Sequence, residues 1–358
     1  MRKTVKVRLS KSSNGGNCMN LKRGINLGGF LSQCYHEEKH YQTFILEEDI
    51  KQIADWGFDH VRLPIDFEVL ETEDGKVKES GYGYVRQAVE WCKKYGLNIV
   101  LDLHKAYGYD FNDAGNKEKN SLFAREELQE RFLNLWEQIA KAFSSYDHVA
   151  FELLNEVVEN DVIDEWNALI KKTVKVIRSI TKTTTIIYGG ILWNSATTVK
   201  YLEVPSDEHT MFTFHFYEPL VFTHQKASWV AMMDMNRTVY YPETMEYYRK
   251  ICETFSSQGN PVLDSKAKTM GPEFIKELID EAINAANKAG VPIYCGEFGV
   301  IDQAPTEDTV RWLQDMIDVF DEKQIGYALW TYKKMDFGII DEHYAPVKDR
   351  MIAILTGR

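Results

Sequence analysis

Cysteine is scarce in this sequence, and its spacing is wide. The 358 residues include five cysteines, and no two of them form a C-x-x-C pair: Cys18, Cys34, Cys92, Cys252 and Cys295. An odd number of widely spaced cysteines indicates neither a disulfide framework nor a zinc knuckle. We therefore expect a fold held by its hydrophobic core, and we predict no cofactor and no metal site.

Long apolar runs and an excess of positive charge are also missing. No stretch has the about 20 apolar residues of a membrane helix, and the basic first residues lack the apolar segment of a signal peptide. The net charge of −12 repels nucleic acid and anionic membranes. We expect neither of these as a partner, we expect a monomer, and the cellular location stays open. Residues 1–20, rich in Lys, Ser, Asn and Gly, are predicted to be a mobile N-terminal extension.

The sequence does contain a repeated rhythm of helical stretches that end in glycine before a short apolar run. Gly57, Gly96 and Gly290 each stand at such a junction, as expected of a residue that ends a helix with positive φ. Short runs that are almost wholly apolar are typical of parallel strands buried on both faces. Eight of them occur, at 23–27, 58–63, 97–103, 148–154, 183–189, 211–216, 291–297 and 325–330. Helical patterns are clearest at 121–144, 161–180, 272–289 and 307–323.

Eight repeated strand–helix units predict the α/β class and, within it, a (β/α)8 barrel (TIM barrel) over residues 21–358. No glycine-rich phosphate loop follows the first strand, which weakens the nucleotide-binding alternative. Residues 218–271 form an interval too long for a plain loop, and they carry seven large aromatic residues. We interpret them as a small subdomain inserted after strand six at the active-site rim, and a purely structural cap with its own aromatic core is the alternative.

Polar side chains stand near the ends of most of the eight strands. In a barrel the active-site groups project from the carboxyl ends of the strands. The residues in question are Asn26, Arg62, His104, Asn155, Glu156, His215, Tyr217, Glu297 and Trp330. Buried polar groups at one end of apolar strands are costly unless the site uses them.

Glu156 and Glu297 are the candidate catalytic pair. On strands four and seven they would face each other across the barrel mouth, where two carboxyl groups can cleave a glycosidic bond. A spacing of about 5–5.5 Å permits direct attack and retention of configuration, whereas a wider gap admits a water molecule and gives inversion. A single strand-end Glu is more often a capping or ion-pairing residue, but the accompanying Asn, His, Tyr and Arg favour the catalytic interpretation.

The motifs at these strand ends resemble, in order, those of glycoside hydrolase family 5, in the clan with catalytic Glu on strands four and seven. They are RGINLGGF, HVRLP, LDLHK, FELLNEV, FHFYEP, CGEFGV and LWTYKKMD, and the resemblance spans residues 22 to 340. The segments FTHQKASW and NRTVYYP of the insertion are similar to those of clostridial endoglucanases of that family. Each motif alone is weak, and the ordered set is specific.

The resemblance implies a role for each position. Glu156 would be the acid/base and Glu297 the nucleophile of a retaining enzyme. Asn155 would bind the sugar 2-hydroxyl in the −1 subsite, and Arg62 and Tyr217 would hold Glu297 ionised. Of the remaining positions, His215 would lie beside Glu156, His104 would bind a −1 hydroxyl, and Trp330 would stack under the −1 ring.

Two features of the sequence need a separate interpretation. Many members of the family have two adjacent histidines after strand three, and here the second position is Lys105, which affects recognition of the −1 or −2 sugar rather than the reaction. His36 and His40 match the H-E-x-x-H zinc pattern. They lie in a very polar stretch before the first helix, so we interpret them as part of a loop that lines the sugar cleft.

The resemblance predicts a retaining endo-β-glucanase that cuts internal β-1,4 or mixed β-1,3-1,4 bonds, with a β-glucan as its partner. A β-mannanase or an exo-β-1,3-glucanase uses the same machinery, and fold-level kinship does not separate them. An inactive carbohydrate-binding barrel is the non-enzyme alternative, and the intact set of polar strand ends argues against it. Trp229 of the insertion is predicted to stack on a glucosyl face, because polar side chains suited to sugar hydroxyls precede it at positions 224–226.

Overall fold

The computed structural model describes residues 18–255 and 257–358. Its eight strands pair in parallel, each with the next, and the eighth pairs with the first, so the barrel is closed. The strands are β1 (Arg23–Asn26), β2 (His60–Asp66), β3 (Asn98–Lys105), β4 (Val149–Glu152), β5 (Ile186–Gly189), β6 (Thr210–Phe216), β7 (Ile293–Phe298) and β8 (Gly326–Leu329). The (β/α)8 prediction is confirmed.

Helices surround the barrel. Those described are α1 (Glu38–Thr43), α2 (Glu47–Trp56), α3 (Phe67–Leu70), α4 (Glu79–Tyr95), α5 (Glu126–Phe143), α6 (Ile163–Ile180), α7 (Leu220–Thr223), α8 (Met245–Cys252), α9 (Asn260–Asp264), α10 (Pro272–Ala289), α11 (Thr306–Lys323) and α12 (Lys348–Thr356). Between β5 and β6 the connection contains only a short 3₁₀ helix, Ala196–Tyr201. None of the described helices carries an apolar stretch long enough to cross a bilayer.

The predicted helix ends agree with the observed backbone. Gly57, Gly96 and Gly290 follow α2, α4 and α10 with φ of 98°, 72° and 73°. This left-handed conformation is costly for residues with a Cβ. Each helix therefore stops where its sequence places a glycine, and the chain turns back into the next strand.

Most of the buried apolar side chains of the described residues lie in two layers. The larger one lies between the strands and the surrounding helices, and Trp136, Trp166 and Trp312 are fully buried in it. The smaller one closes the amino-terminal end of the barrel interior with Leu21, Val100, Ala150, Ile187, Met211, Tyr294 and Ala328. This end of the barrel is therefore closed by apolar side chains. The polar residues lie at the opposite mouth, where the parallel strands end.

The long segment after β6 contains α7, α8 and α9, and its aromatic side chains divide into two groups. Phe222 stacks on Tyr241 with ring centroids 5.2 Å apart, and Tyr241 donates a hydrogen bond to Asp315 of α11 at 2.8 Å. These rings are buried, whereas Trp229 is 58% exposed. The segment thus has an apolar anchor on the barrel and a separate exposed aromatic residue.

The predicted N-terminal extension lies almost wholly outside the described residues, which begin at position 18. Met19 N donates to Thr185 Oγ1 at 2.7 Å, and Cys18 and Met19 pack against the plug at the amino-terminal end of the barrel. The first described residues therefore lie at the end of the barrel opposite the polar strand ends.

Candidate active site

Arg62 is the centre of the polar network at the open end of the barrel. It comes from β2, is fully buried, and uses both edges of its guanidinium group. Nη1 donates to Glu297 Oε1 at 2.6 Å and to Asn26 Oδ1 at 3.0 Å, and Nη2 donates to Asn155 Oδ1 at 2.9 Å. Side chains from β1, from β7 and from the segment after β4 therefore meet on one rigid cation of β2.

Glu297 lies at the end of β7 and is held by two donors. Besides Arg62, Tyr217 donates its hydroxyl proton to Glu297 Oε2 at 2.9 Å. Tyr217 follows β6 directly, and burial raises the pKa of its phenol well above the usual range, so it stays a donor. Both oxygens of Glu297 thus accept a hydrogen bond, one from a cation and one from a phenol.

Glu156 has a different environment. Its Oε1 lies 2.8 Å from His215 Nδ1, and no cation pairs with it among the described residues. Burial raises the pKa of Glu156 to about 7 and lowers that of His215 to about 4. The imidazole is therefore neutral near neutral pH, and Glu156 loses its proton only as the pH rises through about 7.

The two carboxyl groups converge on the same imidazole. His215 Nδ1 also lies 3.7 Å from Glu297 Oε2, and one oxygen of Glu156 lies within 4.8 Å of one oxygen of Glu297. The site thus holds, at short range, one carboxyl group whose pKa is raised by burial and one whose two oxygens accept hydrogen bonds from Arg62 and Tyr217. Such a pair can act as an acid and a nucleophile on a bond placed between them.

His104 and Trp330 form a second wall of the site. Their rings are parallel within 1°, and their centroids are 5.8 Å apart. Asp102 Oδ2 lies 2.6 Å from His104 Nδ1, which leaves Nε2 as an acceptor for the Gln33 side chain at 3.0 Å. Burial lowers the pKa of His104 to about 4, so this wall presents a neutral ring.

The two asparagines occupy different positions. Asn155 directly precedes Glu156, and its amide oxygen is taken by Arg62, so its amide nitrogen is the atom left for a ligand. Asn26 is fully buried, and its amide nitrogen donates to the carbonyl groups of Gly296, Ala328 and Leu329. All the contacts described for Asn26 are therefore with protein groups that line the site from below.

Trp229 lies apart from this cluster on the exposed part of the insertion. Its neighbours Ala227 and Val230 pack with Trp330 and Phe337, and Tyr217 packs against the same group. The chain around Trp229 is thus anchored beside the site, while the indole itself remains on the surface.

The H-E-x-x-H pattern does not form a helical zinc motif. His36 precedes α1, and its Nδ1 lies 2.8 Å from the Tyr41 hydroxyl, whereas His40 lies 2.7 Å from the Gly29 carbonyl oxygen. His36 instead approaches Asp66, to which its Nε2 is 3.3 Å distant. Lys105 Nζ lies 4.0 Å from the same carboxylate and 2.8 Å from Asp110, so its ammonium group pairs with two carboxylates on this side of the cleft.

Sequence reasoning missed three residues of the network, namely Glu152, Asp102 and Gln33. Glu152 of β4 binds Arg62 through both carboxylate oxygens, at 2.8 Å from Nε and 3.0 Å from Nη2. Asp102 of β3 lies 3.1 Å from Arg62 Nη2. For Glu152 and Asp102 the available signal was a charged residue inside an otherwise apolar strand, since such a residue needs a buried partner. Gln33 lies outside the strands, so this signal does not apply to it.

Comparison with known proteins identifies the family. The family model described as cellulase, glycosyl hydrolase family 5, matches residues 21–336. Endoglucanase C of Acetivibrio thermocellus is 41% identical over 345 residues, covering 95% of this chain and 99% of the relative. Cellodextrinase A of Ruminococcus flavefaciens is 41% identical over 338 residues, covering 94% and 93% of the two chains.

A solved structure agrees with this assignment. Thermotoga maritima Cel5A, crystallised in complex with mannotriose, superposes with a TM-score of 0.71 at 28% identity, covering 94% of this chain and 97% of that one. The barrel, the ordered strand-end motifs and the relatives agree, and the chain is a glycoside hydrolase that belongs to the cellulase family, glycosyl hydrolase family 5.

Proposed function

We propose that the protein is a retaining endo-β-glucanase that hydrolyses internal β-1,4 or mixed β-1,3-1,4 glucosidic bonds by double displacement, with Glu297 as nucleophile and Glu156 as acid/base. The observation that carries this proposal is the convergence of the two carboxyl groups on His215 in opposite environments. Glu297 accepts from Arg62 and Tyr217, and Glu156 has no cationic partner among the described residues. A separation within 4.8 Å between two of their oxygens supports retention, for which carboxyl groups about 5–5.5 Å apart are typical.

The first step forms a covalent glycosyl-enzyme. A Glu297 oxygen attacks the anomeric carbon while the proton of Glu156 passes to the leaving glycosidic oxygen, so the bond from the anomeric carbon to that oxygen breaks as the ester bond forms. The raised pKa of Glu156, caused by burial, keeps the proton available near neutral pH. Arg62 and Tyr217 hold the attacking carboxylate in place.

The second step releases the sugar. Glu156, now ionised, takes a proton from water, whose oxygen attacks the anomeric carbon and frees Glu297. Two inversions at one carbon give net retention. The same residue acts first as acid and then as base, because the second step follows the reverse course of the first with water in place of the leaving group.

The neighbouring side chains supply the −1 subsite of this proposal. The free amide nitrogen of Asn155 donates to the sugar 2-hydroxyl, and Trp330 stacks under the pyranose ring. A hydroxyl group of the substrate takes the place of Gln33 at His104 Nε2. His215 stays neutral and orients Glu156 through Nδ1, and Asn26 supports the site through Arg62.

Glucan specificity is supported by the relatives named endoglucanase and cellodextrinase. The mannotriose complex of the Thermotoga maritima protein keeps a β-mannanase as the second candidate. A product profile on cellulose derivatives, mixed-linkage glucan, β-1,3-glucan and mannan separates these activities. We expect a ladder of oligosaccharides from the first two polymers. Mannan as the best polymer, or glucose as the sole early product, would contradict the proposal, and inactivity on every polymer would favour a binding protein.

The nucleophile is tested by Glu297→Gln and Glu297→Ala. We expect Glu297→Gln to retain less than about 1% of the activity, because loss of the covalent step costs several kcal/mol in the barrier. Azide added to Glu297→Ala should yield a glycosyl azide of inverted configuration from an activated aryl glycoside. The matched control is Glu159→Gln, since Glu159 contacts Tyr109 and Asn120 rather than the network. A Glu297→Gln enzyme with substantial turnover would reassign the nucleophile.

A further inference from the structure

Glu152 is a fully buried carboxylate that the double-displacement scheme does not use. It ends β4, four residues before Glu156, and its two oxygens receive Arg62 Nε and Nη2 at 2.8 and 3.0 Å. We propose that Glu152 is a positioning residue for the reaction, which fixes the plane of the Arg62 guanidinium group and, through it, the nucleophile Glu297 and the sugar-binding Asn155. This inference rests on the proposed function.

The guanidinium group of Arg62 is planar and rigid, so a bidentate carboxylate on one edge determines where the remaining N–H groups point. Glu152 accepts from Nε and from Nη2 of Arg62. Nη1 is then directed at Glu297, and Nη2 also donates to Asn155. Neither of those two contacts is bidentate, so neither alone prevents rotation of the Arg62 plane.

Charge gives Glu152 a second effect. Arg62 faces three buried carboxyl groups, and the contact with Asp102 is a single one of 3.1 Å, with the other Asp102 oxygen lacking a hydrogen-bond partner among the described residues. Glu152 is therefore the counter-ion that meets Arg62 with both of its oxygens. Its negative charge offsets part of the positive charge that Arg62 presents to Glu297.

A pH readout must take account of every titratable group around the cluster. These groups come from β2, from β3, from β4 and the residues after it, from β6 and the residue after it, and from β7: Arg62, Asp66, Asp102, His104, Glu152, Glu156, His215, Tyr217, Tyr294, Cys295 and Glu297. His104 and His215 are neutral because burial lowers the pKa of each to about 4. Substitution of Glu152 therefore changes the charge next to Arg62 without a change in either imidazole near neutral pH.

The experiment compares Glu152→Gln with Glu152→Asp on a chromogenic aryl β-cellobioside. Glu152→Gln should lower kcat by about tenfold or more, since misplacement of reacting groups by around 1 Å has effects of that order, with little change in KM. The acidic limb of its kcat/KM profile should move to lower pH, because loss of the Glu152 charge increases the net positive charge that Arg62 presents to Glu297. Glu152→Asp keeps the charge but shortens the reach, so its limb should stay in place while kcat falls. Glu159→Gln is the matched control and should behave like the parent enzyme.

Each outcome decides the matter. A wild-type kcat together with an unmoved acidic limb in a folded Glu152→Gln enzyme would overturn the inference. If Glu152→Gln does not fold, a wild-type kcat in Glu152→Asp would overturn it. If neither variant folds, Glu152 serves the stability of the barrel, and the positioning role is also overturned. A failure of this inference leaves Glu297→Gln inactive, whereas an active Glu297→Gln enzyme would refute the proposed function itself.

Discussion

At the scale of single residues, the site shows how one residue type acquires two chemical states. Glu156 and Glu297 have the same side chain and lie beside the same histidine. Arg62 and Tyr217 donate to Glu297, whereas burial without a cation raises the pKa of Glu156 to about 7. The proposed acid and nucleophile thus differ in what surrounds each carboxyl group.

The raised pKa of Glu156 predicts the basic side of the pH profile. The acid must carry its proton, so kcat/KM should fall as pH rises through about 7, the folded-state value. Glu156→Ala should flatten this limb on aryl glycosides with good leaving groups, which need no protonation. The measurement is kcat/KM of both enzymes between about pH 5 and about pH 9. An unchanged basic limb in Glu156→Ala would assign the acid to another group.

At the scale of elements, the insertion after β6 combines a packed base with an exposed surface. Phe222 and Tyr241 stack in its interior, and Tyr241 is tied to α11 through Asp315. Trp229 is 58% exposed, so it does not belong to that aromatic core. The two tasks expected of the segment, a structural cap and a surface for sugar, are compatible with different residues of the same segment.

Trp229→Ala tests the sugar-binding task. One sugar face buried on an indole is worth about 1–3 kcal/mol, so KM for cello-oligosaccharides should rise roughly tenfold. Hydrolysis of a short aryl glycoside that reaches only the −1 subsite should change little. The control is Tyr240→Ala, another exposed aromatic residue of the segment. A large fall in the melting temperature with equal losses on long and short substrates would show that Trp229 is structural.

At the scale of the whole molecule, the barrel depends on closure between β8 and β1. Gly326 opens β8, and a Cβ built on it would lie 1.7 Å from the Leu21 carbonyl oxygen. That oxygen belongs to the backbone just before β1, so no side-chain rotation relieves the clash. The glycine is required by the close approach of two chain segments at the seam of the barrel.

Gly326→Ala should therefore destabilise the protein by about 1–3 kcal/mol, the usual effect of overpacking. Gly83→Ala is the matched control: nothing lies within 4 Å of its Cβ position, and alanine in the interior of α4 should stabilise by about 0.5–1 kcal/mol. Thermal unfolding followed by circular dichroism measures both changes. Equal midpoints for Gly326→Ala and the parent would show that the seam relaxes without cost.

The sequence alone determined the elements and the residues at their ends. Glycine-terminated helices and apolar strands predicted the barrel, because these patterns depend on neighbours along the chain. Position at or just after a strand end was enough to nominate Glu156 and Glu297, because the barrel places all carboxyl ends at one mouth. Arg62 was expected at the end of its strand but lies inside β2, which continues to Asp66.

Only the tertiary structure decided which of these groups touch. Glu152 stands in an apolar strand 90 positions from Arg62, and Glu297 is 235 positions from it. Local pattern contains no information on such contacts, since they depend on how the barrel closes and on the tilt of its strands. The same holds for the burial that raises the pKa of Glu156 and for the exposure of Trp229. Burial depends on the other chain segments that cover a side chain, and folding alone brings those segments together.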